Sequence, residues 1–67
     1  MSVAKVTEIT ATSTKSFEDA IKAGVSRASK TLKNLRGAWI SEQKITIENN
    51  KIRTYRVTMR LTFVLED

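Results

Sequence analysis

Four side chains of this 67-residue sequence have the types and spacing to hold a flat, charged ligand: Trp39, Gln43, Arg56 and Arg60. They fall on two β-rich runs, Ala38–Asn49 and Lys51–Glu66, that flank Asn49-Asn50, a pair that tolerates positive φ and suits a two-residue turn. With those asparagines as the loop, Glu48 opposes Lys51 and Trp39 opposes Arg60. Ser41, Gln43, Arg56 and Thr58 then share the outward face with Trp39. A planar ring beside two guanidinium groups and an amide can stack a flat ligand and neutralise a phosphate. The same set can be a structural cation–π pair at a subunit contact, worth ~0.5–2 kcal/mol. The placement depends on register, because a slip of one residue turns every side chain of one strand over.

Other chemistry is scarce. The chain has no Cys, no His and no Pro. That removes disulfides, thiolate nucleophiles and Cys-based metal sites, and with them the commonest general base. Lys, Tyr and carboxylates remain, yet no nucleophile–base pair or Gly-rich phosphate loop is present. The sequence reads as a binding protein without catalytic residues, not an enzyme.

The elements that must position these residues follow from periodicity. Val3–Thr12 is rich in β-branched residues and reads as a strand. Ser16 to Asp19 has the form of a capping box, and apolar residues then recur at Phe17, Ile21, Val25, Ala28, Leu32 and Leu35. The expected helix spans residues 16–35 and stops at Gly37. The expected hairpin spans residues 38–66. Along its last strand the odd positions from Tyr55 to Leu65 are apolar and the even ones from Thr54 to Thr62 are polar, so one face packs on a core. The order is β-α-β-β in a single domain over residues 1–67, of the α+β class. In the simple register the polar residues Glu42, Lys44 and Thr46 continue the core face, and Ile45, Ile47 and Ile52 lie on the opposite one. Those isoleucines are expected to form an oligomer interface.

Size and charge bear on partners. A chain this short buries only about 60% of the surface that its unfolded form exposes. Lacking disulfides, it is expected to self-associate. The net charge is +5, from 12 basic and 7 acidic residues. The basic residues are spread from Lys5 to Arg60, and the outward face lacks repeated aromatics, so nucleic acid is not the expected partner. With no signal-like start and no apolar run near the ~20 residues of a membrane span, the reading is cytoplasmic.

The segments Val3–Thr10, Ala28–Arg36, Ile47–Asn49 and Val57–Glu66 resemble the dodecin family, in an ungapped match from Val3 to Glu66. The resemblance implies a subunit whose three-stranded antiparallel sheet wraps round its helix, with twelve subunits in a hollow shell. It also implies a ligand: family members hold flavins (riboflavin, FMN or FAD) as stacked pairs between aromatic rings, storing or quenching them. Flavin-binding members carry Trp directly after the Leu-Arg pair, where this chain has Gly37, and a Gln in the last strand, where it has Arg56. Trp39 stands two residues on, a displacement of ~7 Å. Glu42-Gln43 and Thr54-Tyr55-Arg56 are similar to a branch associated with calcium. Calcium wants clustered oxygen ligands, and Glu42 and Glu48 are too far apart on one strand to supply them within a subunit.

Overall fold

A computed structural model describes residues 3–65. Glu66, the last residue of the expected hairpin, lies outside the described residues. The elements are β1 (Val3–Ser13), α1 (Phe17–Ala28), β2 (Leu35–Glu48) and β3 (Lys51–Leu65). They form one antiparallel sheet in the order β1-β3-β2, with α1 on one face. The most regularly alternating strand, β3, is thus the central one. Its inward residues Val57, Met59 and Leu61 form the core with Ala20 and Ala28.

The helix buries a line of small residues, Ala20, Gly24 and Ala28, four apart. A Cβ added at Gly24 would stand 2.5 Å from the Met59 Cε and 3.1 Å from the Ala11 Cβ, so the helix can sit this close only without one. The larger residues of the expected stripe flank this line. Phe17 packs edge-on against Tyr55 with ring centroids 5.2 Å apart, whereas Val25 is exposed. At the helix start the Ser16 hydroxyl accepts from the Asp19 N–H at 2.9 Å, as a capping box requires. The Asp19 carboxylate does not return to Ser16. It accepts from the buried Ser13 hydroxyl at 2.6 Å and so ties the helix to the end of β1.

The helix ends at Ala28, not at residue 35 as its apolar spacing predicts. Past Ala28 the turn tightens: the Lys30 N–H donates to Arg27 O and the Thr31 N–H to Ala28 O. The Ser29 hydroxyl donates back to Ser26 O, offering that carbonyl a partner outside the helical ladder. Asn34 then takes a left-handed φ of 62°, and its carbonyl accepts from the Val64 N–H, which starts the return to the sheet. The helix cap is thus Ser29, in the right-handed α region, and not Gly37, which lies within β2 and has no positive φ. The spacing ran on because Leu32 and Leu35 pack on the same core from a turn and a strand.

The hairpin turn is Asn49-Asn50, with φ of 54° and 62°, and Glu48 pairs with Lys51. At the far end Trp39 pairs with Arg60 and Ile40 with Met59, as the simple register requires. Between them lie two bulges, in which Arg53 is the extra residue on β3 and Ser41 the extra residue on β2. The Ser41 hydroxyl donates to Thr58 O at 3.2 Å. One extra residue on each strand shifts the pairing by one between the bulges and restores it beyond both, but leaves the facing of the tip inverted. Glu42, Lys44 and Thr46 consequently lie on the outer face, opposite Thr58, Arg56 and Thr54. Ile45 instead faces Tyr55, and Ile47 faces Ile52. The expected switch of faces does not occur: all three isoleucines prolong the helix-side face.

Candidate ligand face on the sheet

The face turned away from α1 presents cross-strand rows, one residue from each strand. Glu8, Arg60 and Trp39 form one row across β1, β3 and β2. The Arg60 guanidinium carbon stands 5.8 Å from the Trp39 ring centroid, and Arg60 Nε donates to Glu8 Oε2 at 3.2 Å. Arg60 is thus held from both sides, while Trp39 remains 47% exposed. On one side of this row lie Val6, Thr62 and Gly37. Nothing stands within 4 Å of a Cβ built on Gly37, so the ring has open space beside it.

On the other side come Thr10, Thr58 and Glu42, then Thr12, Arg56 and Lys44. Thr10, Glu42, Lys44, Arg56 and Thr58 border a polar pocket of about 170 Å³. Beyond it the hydroxyls of Thr46 and Thr54 are hydrogen bonded at 2.5 Å.

Three of the four residues singled out in the sequence, Trp39, Arg56 and Arg60, therefore do share the outer face. Gln43 does not: the Ser41 bulge pairs it with the buried Val57 on the helix side. Glu42 and Lys44 come to the outer face instead. Their arrival could not be foreseen, because a bulge leaves no alternation signal in a strand of mixed polarity. Glu8 was missed for another reason: its contact needs β1 to lie beside β3. No three acidic side chains converge among the described residues, so within one subunit the donor set does not fit a calcium site.

Fold and face together define a small β-α-β-β binding subunit that displays a ring, two guanidinium groups and an ammonium on one side of a thin sheet. The chain belongs to the dodecin family, whose model matches residues 3–66. The family comprises non-enzymatic small-molecule-binding proteins that form homododecamers. A point mutant of the Thermus thermophilus dodecin is similar over 100% of both chains, at 34% identity and a TM-score of 0.94. The dodecin of Streptomyces davaonensis is similar over 98% of this chain and 97% of its own, at 33% identity and 0.93. Calcium dodecin from Mycobacterium tuberculosis, a calcium-chelating immunodominant antigen, is similar over 96% and 91%, at 34% identity and 0.81. No protein of curated description matches the chain.

Proposed function

We propose that this protein is the subunit of a homododecameric shell that binds and stores a flavin against the outer sheet face, with Trp39 as the stacking ring. The observation that carries this reading is the half-exposed Trp39 ring, backed by Arg60 and open on the Gly37 side. Arg56 is placed to meet the polar end of such a ligand, while the Gln43 amide, on the helix side, leaves the set. A symmetry-related ring would complete the sandwich. The test is a fluorescence titration of riboflavin and FMN with the assembled protein. Saturable quenching that weakens in Trp39→Ala is expected, and unquenched flavin with a colourless preparation would refute the reading.

The subunit's shape supports the assembly. Its radius of gyration is 13.9 Å, against the ~11 Å of a compact chain of this length. Ile45, Ile47 and Ile52 are 36%, 64% and 52% exposed, on a face that α1 does not reach. We assign that patch to contact with neighbouring copies.

The similarity to calcium dodecin supports a second reading, a shell that takes up calcium through oxygens from several subunits. Equilibrium dialysis of the parent and of Glu42→Ala distinguishes it. Calcium uptake lost in the variant is its signature, and no uptake by the parent removes it.

A further inference from the structure

The Arg56 row breaks a rule that the Arg60 row obeys. Lys44 and Arg56 stand directly opposite each other on β2 and β3. Like charges facing across a pair of strands repel and destabilise it. Arg60 has Glu8 opposite it on β1, whereas Arg56 has Thr12 there. Among the described residues the ion pairs within 4.0 Å are Lys22–Glu18 and Arg60–Glu8, so neither Lys44 nor Arg56 is neutralised. Glu42 borders the same pocket without pairing to either. A local conflict of this kind, at the wall of a polar pocket, is the pattern expected where a ligand resolves it.

We propose that the pocket between Lys44 and Arg56 is a binding site for a phosphate-type oxyanion. The two cations take its charge, the Arg56 guanidinium offering a planar pair of donors and Lys44 a point charge. The Thr10 and Thr58 hydroxyls, which border the pocket from the adjoining row, can donate to the remaining oxygens. Two cations against one carboxylate leave the pocket net positive, which favours an anion over a divalent cation. The anion is either free phosphate or the phosphate ester of a ligand whose ring lies against Trp39 in the next rows. The site does not rest on the flavin reading.

Calorimetric titration of the assembled full-length protein with inorganic phosphate is the direct test. Saturable binding is expected, weakened about tenfold in Arg56→Gln, since a charge-assisted hydrogen bond is lost. Glu42→Gln should tighten binding about threefold by removing a like charge near the anion. Arg60→Gln, on the same face and already paired, should stay within about twofold. Thermal melts add a readout that a purely structural arginine would not give: Arg56→Gln should melt higher than the parent in phosphate-free buffer and lose the phosphate-induced rise.

Absence of saturable phosphate binding overturns the proposal, as does an equal loss in Arg60→Gln, which would signify diffuse surface charge. Parallel titrations with FMN and riboflavin separate the sources. FMN tighter than riboflavin assigns the anion to an ester tail, and FMN no tighter, with phosphate still bound, assigns it to free phosphate. Phosphate binding with neither flavin bound leaves this site standing and removes the ring site.

Discussion

The helix-side face has two ends that differ in one respect, namely what covers them. At one end Val57, Met59 and Leu61 are fully buried under Ala20, Gly24 and Ala28. At the other, Ile45, Ile47 and Ile52 continue the same apolar face with no element of the chain above them. A helix of 12 residues spans ~18 Å, while the molecule is 52 Å long. The strands are therefore built for a longer cover than the chain supplies. Stability is divided accordingly, between a core that each subunit owns and an apolar extension that we assign to other copies.

Two deletions of equal length make the most severe test of this division. Removing Thr46 forces the residues between it and Ile40 to re-phase, turning Glu42 and Lys44 to the helix-side face and Ile45 to the outer one. The places they take, those of Gln43 and Ile45, are exposed in the subunit but lie on the face that we assign to other copies, so the deletion should break up the shell in sedimentation velocity. Removing Ser41 merely erases the bulge, keeps every face, and should leave a folded protein by circular dichroism. Equal damage from both would mean that the bulge does not set the facing.

Met59→Ala comes next and strikes the owned core. A buried Met truncated to Ala should cost about 2–5 kcal/mol, read as a lower urea midpoint. Ile47→Asp strikes the bare end. It should convert the shell to small species in sedimentation velocity while circular dichroism retains the helix, and an unchanged mass would take that patch out of the interface. Gly37→Trp has open space to enter and adds a second ring two residues from Trp39 on the same face. It should tighten flavin binding about tenfold by fluorescence titration, within the range of aromatic stacking. The smallest effect belongs to Glu8→Gln. Its pair with Arg60 is half-exposed on both sides, so the loss should stay below about 1 kcal/mol, with a change in Trp39 emission as the more sensitive readout.

Much of this architecture was legible in the residues. The alternation of β3 gave its inward face, Asn49-Asn50 gave the turn, and Ser16 gave the start of the helix. The end of the helix was not legible, because Leu32 and Leu35 keep helical spacing while lying in a turn and a strand. The site was read in part. Trp39, Arg56 and Arg60 came out on one face because Trp39 and Arg60 lie on the far side of both bulges and β3 alternates unbroken from Thr54 onward. Gln43 was misplaced because the extra residue at Ser41 is an ordinary polar residue, and a hydroxyl that bonds to Thr58 O has no signature in a one-dimensional pattern.

Ser41 and Arg53 bear on how residues may be matched between relatives. Pairing depends on the difference between two strands and tolerates equal insertions, whereas facing depends on the count along each strand and is inverted by a single one. Two hairpins can thus share the same pairs at the tip and at the far end and still display opposite parities at their tips. For this chain, a role transferred from a relative holds across residues 42–52 only if that relative carries both extra residues. Counting them should precede any comparison of the side chains themselves.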